Sequence, residues 1–444
     1  MKKKLYLLFY FLVSSTIIAS AQTNADTSVK VVTLRQCVDF ALRNQPAVRQ
    51  ASIDEAINEK DIRISLSAWL PQVSGSGLYD YYFKGTPLIP NTGLATSGAA
   101  IDNTSTLGLQ ANQVIYNNDV LQAAKAAKYS RLYYKQNTLS SQINVVSDVS
   151  KAFFDVLLSQ KQLDILSEDI IRLKRSLKDA NSQYQAGVVD KTDYKQATIA
   201  LNNSLAQYKQ TQESIKSKVA YLKQVMGVNP NNELTLSYDS ARYESEASID
   251  TNQRLDVNNR IEYQLLQTQK SLQNVNVSYY KWGFLPSISA TGVYDWYYYS
   301  SSFSSLYNKS FPNAYVGLTL AIPIFQGNKR LENLSKARLQ VNRADLDIVN
   351  SRNTINTEYI QALASYKSNY TNWEFLKQNV GLAKDVYHVV SLQYREGIKT
   401  FLDVTVAQSD LRTAELNYYN ALFQLLSSKI DLQKALGTLT VQQN

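Results

Sequence analysis

The side chains that perform most enzyme chemistry are scarce in this sequence. His388 is the only histidine and Cys37 the only cysteine, which excludes clusters of histidine ligands, a triad with a second histidine, and an intrachain disulfide. Glu168 and Asp169 are adjacent carboxylates, but their charged helical surroundings lack the apolar pocket that would raise a carboxyl pKa. We interpret this pair as solvated charge. The residue types therefore predict that the protein is not an enzyme and uses no metal ion or cofactor.

The first 21 residues have the pattern of a signal peptide. Lysines at positions 2–4 precede an apolar run at positions 5–18 and the small residues Ala-Ser-Ala at positions 19–21. No later run reaches the roughly 18 apolar residues of a transmembrane helix, so we expect an exported chain without such a helix.

The formal net charge of +9 is dispersed among acidic residues, which does not indicate a nucleic-acid partner.

The chain contains one pattern twice, about half its length apart. LPQVSGSGLYDYYFK at Leu70 resembles LPSISATGVYDWYYY at Leu285, and YQAGVVDKTDYKQA at Tyr184 resembles YREGIKTFLDVTVA at Tyr394. We interpret this as a tandem duplication. The predicted repeats are residues 22–228 and 254–444, each with helices around a β-hairpin, at 72–116 and 287–325. Residues 229–253, which contain few long apolar runs, are predicted to link the two repeats.

The hairpins have the alternation expected of membrane strands. From Val316 to Ile324 the even positions are apolar and most odd positions are small or polar, over about the ten residues that a tilted strand needs to cross a membrane. Aromatic residues near the hairpin ends resemble the girdles of outer-membrane barrels; these are Trp69, Tyr79, Tyr81, Tyr82, Trp282, Tyr294, Trp296 and Tyr297. A soluble β-sandwich alternates as well. The signal peptide and the long helical flanks favour the membrane.

Four strands per chain cannot close a barrel, and an open strand edge is not tolerated in lipid. The barrel must therefore be shared between copies. Two copies would supply about eight strands, whose interior is filled by side chains, whereas three would supply about twelve and leave a lumen. We therefore expect a trimer.

The last helix has two apolar stripes. Its first seam follows a heptad repeat and alternates with small residues, which allows close coiled-coil packing; it consists of Val404, Leu411, Tyr418, Leu425 and Leu432. A second stripe contains Leu402, Leu416, Phe423 and Ile430. Two stripes indicate neighbours on both sides, as in the wall of a tube. An ordinary coiled-coil dimer is the alternative, but it would leave the second stripe and the strands unexplained.

The sequence resembles the TolC family of outer-membrane efflux proteins. The similarity lies in TLRQCVDFALRNQPAVRQA near the N-terminus, LP before the first strand of each half, the YxxG turns, and LQKALG near the C-terminus. The resemblance implies a membrane protein of mixed α-helix and β-barrel: a trimer with a shared twelve-stranded outer-membrane barrel and a long helical tunnel across the periplasm. It implies that residues 229–253, which we call the belt segment, form part of a periplasmic belt around the middle of that tunnel. It also implies a periplasmic adaptor and an inner-membrane transporter as partners, outer-membrane lipid around the barrel, and no cofactor.

The resemblance assigns roles to residues at the inner end of the tunnel. Asp403 is expected to line the periplasmic aperture, although Val406 stands where the family has a second acidic residue; a helix-start aspartate is the alternative. Further residues are expected to latch the tip or to contact the adaptor. The latch comprises Thr192, Asp193, Tyr394 and Lys399, and the docking turns comprise Gly187, Val188, Gly397 and Ile398. The alternative for the latch is four separate solvated residues.

Two functions from different classes fit the sequence. The first is a passive export duct for small molecules or proteins. The second is a structural or adhesive outer-membrane protein whose helices serve as a periplasmic spacer. A duct needs a polar lumen, and Gly108, Gln110, Asn112 and Thr319 on the inward strand face favour it. The sequence does not identify the cargo.

Overall fold

The computed structural model describes residues 32–84, 101–187, 190–237 and 240–441. The predicted signal peptide and Val188 lie outside these ranges. Along the chain the first half contains α1 (Leu34–Asn44), α2 (Pro46–Ser67), β1 (Gln72–Tyr81), β2 (Asn103–Tyr116), α3 (Asn118–Gln185) and α4 (Lys191–Met226). The second contains α5 (Ser240–Glu246), α6 (Ile261–Trp282), β3 (Ser287–Ser300), β4 (Phe311–Ala321), α7 (Lys329–Arg395) and α8 (Phe401–Leu436).

The two halves have nearly equal helices. The long helices α3 and α7 contain 68 and 67 residues, and the returning helices α4 and α8 contain 36 each. Each long helix forms a hairpin with the helix that follows it. The predicted combination of long helices with four strands is therefore confirmed. Within the described part of the chain, no helix is both long and apolar enough to cross a membrane.

Both returning helices end at a glycine that lies against a neighbouring backbone. Gly227 and Gly437 have φ values of 69° and 71°, the left-handed conformation that glycine adopts most easily. A Cβ atom at Gly227 would lie 2.8 Å from the carbonyl oxygen of Asn44, and one at Gly437 would lie 2.7 Å from that of Asn259. The glycines thus let α4 and α8 end in direct contact with the segments that precede α2 and α6.

The four strands form one antiparallel sheet in the order β1-β2-β3-β4. Because paired residues in an antiparallel sheet point to the same side, the register assigns every strand position to one of two faces. One, which we call the apolar face, includes Val73, Leu107, Leu109, Tyr294, Trp296, Val316, Leu318 and Leu320. The opposite face, which we call the polar face, includes Ser74, Ser76, Thr104, Thr106, Gln110, Asn112, Ser289, Thr291, Asp295, Asn313 and Thr319, together with fewer apolar or aromatic residues such as Leu78, Val293, Phe311 and Tyr315.

The second hairpin is shorter than the sequence predicted. Strand β4 ends at Ala321, not at residue 325, although Ile322 and Ile324 continue the apolar alternation. Pro323 has no backbone N–H to donate to a strand ladder, so pairing ends before it. The apolar pattern therefore extends past the paired strand.

The largest core lies where α3, α4 and α8 meet α1 and the belt segment. The first seam predicted on α8 is buried along its whole length, from Val404 to Leu432. The second stripe is buried at Phe423 and Ile430, but Leu402 is exposed. Leu402 lies near the tip of the hairpin, where the single chain offers α8 few neighbours.

The belt segment is fastened to the helices by polar contacts. The Tyr418 hydroxyl donates to Glu244 at 2.5 Å, and the Lys377 amine lies 2.6 Å from the same carboxylate. Burial, and then Glu244, raise the pKa of Tyr418. The Tyr366 hydroxyl donates to the carbonyl of Ala247 at 2.9 Å. Helices α7 and α8 therefore hold the segment that follows the first repeat.

Candidate functional site

Both helix hairpins turn at a glycine with a left-handed backbone. Gly187 follows α3 and Gly397 follows α7, each with φ of 72°. A Cβ atom at either position would meet nothing within 4 Å, so the turn requires glycine for its conformation and not for space. Ile398, beside the second turn, is 72% exposed. Gly187 and Ile398 are therefore accessible, and the docking role of the turns stays a prediction.

Tyr394 connects the two hairpins near their turns. Its hydroxyl donates to the Gln183 side chain of α3 at 3.1 Å, and its ring lies edge-on to Phe401 with 6.2 Å between centroids. Phe401 is buried with Ala180 and Ala197 of the first hairpin. Burial and, more weakly, the charges of Asp193 and Asp179 raise the pKa of Tyr394. Tyr394 therefore joins the two hairpins through Gln183, and not through Thr192 or Asp193, the partners that the resemblance implied.

The other latch residues contact their own hairpins. The Thr192 hydroxyl donates to Asp190 at 3.2 Å, and the Lys399 amine lies 3.9 Å from Asp403, four residues along the chain. The structure therefore does not pair Lys399 with Thr192 or Asp193. Local i,i+4 pairs form at low entropic cost, and the sequence alone does not distinguish them from contacts across the hairpins.

Asp403 caps the first turn of α8. Its carboxylate accepts from the Thr400 backbone N–H at 2.9 Å and from the Thr400 hydroxyl at 2.8 Å, while its own N–H donates to the Thr400 hydroxyl. These bonds from Thr400, and then the Lys399 charge, lower the pKa of Asp403. The capping box fixes where the carboxylate sits and keeps it ionised at neutral pH.

Asp169 is a functional candidate that the sequence interpretation missed. It was predicted to be solvated, but it is 1% exposed and accepts hydrogen bonds from Ser204, Gln408 and Arg412. The prediction is wrong because the charged sequence context concealed the helical spacing. Asp169 lies three residues after Leu166 and four before Leu173, both buried, so it shares their inward face. Of the two adjacent carboxylates, Glu168 is therefore the exposed one.

The remaining reactive residue types occupy unreactive positions. Cys37 is buried in the core, and burial raises the pKa of its thiol to about 12. His388 is exposed on α7. Among the described residues, no group of three or more His, Cys, Asp or Glu side chains is placed to hold a metal ion.

Most of the predicted interface aromatics lie near the two ends of the sheet, whereas Tyr294 lies in the middle of its strand, opposite Leu109. The ring centroids of Tyr294 and Trp296 on the apolar face are 4.6 Å apart, and the Tyr79 hydroxyl donates to Asn103 at 2.7 Å. Tyr81 is on the same face as Tyr79, and Tyr82 follows the strand. Tyr297 differs, because its register places it on the polar face, where it donates to Asp295. The exposed Trp69 and Trp282 lie at the other end of the strands.

Comparisons with known proteins place this geometry in a family. The sequence model described as "Outer membrane efflux protein" matches residues 38–228 and again residues 258–438. Outer membrane protein TolC of Vibrio cholerae is 20% identical, with 96% of this chain and 95% of that protein covered. TolC of Escherichia coli is 23% identical, with 92% and 83% covered. The solved structure of the outer membrane protein VceC from Vibrio cholerae shares the fold, with a TM-score of 0.71 at 16% identity over 91% of this chain and 96% of that one.

Tyr394→Phe is expected to loosen the tip. The variant loses the hydrogen bond to Gln183, a net loss of about 0.5–1.5 kcal/mol, so backbone amides around Gly397 should exchange faster with deuterium. When folding raises the pKa of a tyrosine, that tyrosine contributes its full stabilisation at pH values below its ordinary pKa. The contribution is lost as the pH rises through the pKa of the folded state. The protection factor of the tip amides, which corrects for the base-catalysed exchange of any amide, should therefore fall at high pH in the unmodified chain and fall less in the variant.

The exposed Tyr184→Phe, one residue from Gln183, is the matched control. It removes a phenol from the same turn without removing the contact between hairpins. Equal exchange in the unmodified chain and both variants would contradict a stabilising role for Tyr394.

Proposed function

The chain belongs to the outer membrane efflux protein family, and from that membership we propose that it is the outer-membrane exit duct of a tripartite export system. It is an outer membrane protein. In the proposed system a periplasmic adaptor and an inner-membrane transporter deliver small molecules or proteins to the duct, which conducts them passively to the outside. The channel itself uses no cofactor.

The observation that carries this proposal is the two-faced sheet. Its apolar face carries exposed leucines and valines, of which Leu318 is 75% exposed, and its polar face carries hydroxyl and amide side chains. In a membrane, the apolar face can lie against lipid acyl chains, whereas the polar face must lie against water. A spacer would not need the polar face.

The open edges of the sheet support a trimer. Strands β1 and β4 each pair on one side only among the described residues, and membrane strands require partners on both sides. Three copies related by a threefold axis would pair β4 of one with β1 of the next. The long hairpins would then continue the barrel as a tunnel whose turns, near Gly187 and Gly397, meet the adaptor. The two family matches support the internal duplication.

The purified chain is expected to be a trimer that conducts ions across planar bilayers. Mass measurement in mild detergent, together with single-channel recording, tests both parts. A monodisperse monomer without channel activity would overturn the duct and leave the spacer as the better function.

The two sheet faces are expected to respond differently to a charge. Leu318→Arg should destabilise the barrel by about 2–4 kcal/mol, because it places a cation in lipid, and Thr319→Arg by much less, because it places one in water. Urea unfolding in lipid vesicles measures the difference. Leu318 and Thr319 are adjacent, so they lie on opposite faces of the sheet but at nearly the same depth in the membrane. Equal losses of unfolding free energy in the two variants would therefore contradict the assignment of faces.

Asp403 is proposed to line the periplasmic aperture, where three carboxylates would favour cations. Asp403→Ala should reduce the cation selectivity measured by reversal potential in a salt gradient. Thr400→Ala is the matched control, because it removes the same capping box but keeps the carboxylate. If both variants change selectivity equally, or neither does, Asp403 acts only as a helix cap.

A further inference from the structure

The buried cluster around Asp169 joins both hairpins of the chain. We call Asp169, Ser204, Gln408 and Arg412 the Asp169 cluster. One carboxylate oxygen accepts from the Gln408 amide at 2.9 Å, and the other accepts from the Ser204 hydroxyl at 2.8 Å and from Arg412 at 3.2 Å. Arg412 also donates to the Ser204 oxygen at 2.9 Å. Three helices, α3, α4 and α8, are therefore held by one set of bonds.

The cluster is closed to water at its centre. Asp169, Ser204 and Gln408 are 1%, 0% and 2% exposed, and only the Arg412 side chain remains partly accessible, at 23%. A buried carboxylate is stable only while charged and polar partners replace its water. The bonds also have fixed directions, so sliding or rotating α8 against α3 would break several of them together. Apolar contacts have no fixed bond direction, so they hold one helix against another in a less defined position.

The position of the cluster divides the hairpins into two parts. At 1.5 Å per residue, its members lie about 10–25 Å from the helix ends that flank the turns. On the turn side the hairpins meet through the Tyr394–Gln183 bond and the small apolar cluster of Ala180, Ala197 and Phe401. On the barrel side the continuous core contains Phe153, Leu157, Leu422 and Leu425. The hairpins are thus packed together by few residues on the turn side of the Asp169 cluster and by a continuous core on its barrel side.

We propose that the Asp169 cluster is the fixed point of tip opening. It keeps α8 in register with α3 and α4, so that opening is confined to the segment between the cluster and the turns. Asp169 and Arg412 are positioning residues in this account: they set how far the opening extends and do not contact the cargo. The inference rests on the proposed duct function.

Single-channel recording tests the fixed point with a matched control. Arg412→Leu removes the cationic partner and leaves the carboxylate buried, so the open-to-closed ratio should rise by roughly fivefold or more, the low end of ordinary couplings between sites. Arg412→Lys keeps the charge but not the planar donor geometry, so its open-to-closed ratio should lie between those of the unmodified chain and Arg412→Leu. Asp431→Asn is the control, because its exposed pair with Lys151 joins the same two helices on the barrel side. It should leave the ratio unchanged.

Distances between spin labels test where the movement ends. In a Cys37→Ala background, labels at the exposed Ile398 and Asn417 lie on opposite sides of the cluster. The loosening variant Tyr394→Phe should broaden the intersubunit distances at Ile398 and leave those at Asn417 narrow. Adding Arg412→Leu should extend the broadening to Asn417.

The outcomes separate the two proposals. If the unmodified chain forms no pores, the duct function fails. If it forms pores but Arg412→Leu and the control behave alike, or Asn417 already moves in Tyr394→Phe, the fixed point fails while the duct stands. Should Arg412→Leu fail to assemble, Ser204→Ala, which removes one donor and one acceptor of the cluster, is recorded instead with the same expectation.

Discussion

The structure depends on one constraint: a backbone N–H or C=O group within lipid must have a hydrogen-bond partner. Residues 72–81 and 311–321 form the outer strands of the sheet, so each leaves one row of backbone groups without a strand partner in the described part of the chain. The polar face imposes a second condition, because it must meet water at membrane depth. The proposed barrel, closed by several copies, would satisfy both conditions, and the edges would then determine how the copies are arranged.

The same arrangement explains apolar surface that the single chain leaves exposed. Helix α7 carries exposed large residues over much of its length, including Leu331, Leu339, Leu346, Phe375 and Leu382. A soluble monomer rarely leaves so much apolar surface uncovered. Because β2 and β4 lead into α3 and α7, closing the strands into the proposed ring would also bring the helices of neighbouring copies side by side. Leu402, near the tip of α8, is likewise exposed in the single chain.

Periodic features could be predicted from the sequence, whereas specific partners could not. The seam from Val404 to Leu432 and the alternation after Val316 repeat over many residues, so single exceptions do not alter the pattern. Asp169 was misread because its inward position depends on two leucines and its partners come from distant segments. The acceptor of Tyr394 differs from the expected one for a similar reason: several polar side chains lie near the turns, and only the packing selects Gln183.

The distribution of packing along the hairpins bears on where a duct of this kind could open. Segments with few buried contacts and exposed hydrogen bonds open at the lowest free energy. Toward the turns, the core is reduced to two clusters of three buried apolar residues each, one of them within the first hairpin. Exposed pairs such as Lys399–Asp403 contribute little in water. Near Phe153 and Leu425 the core is continuous. An adaptor that contacts the turns would therefore act on the least stable part of the helices, while the barrel and belt keep their structure.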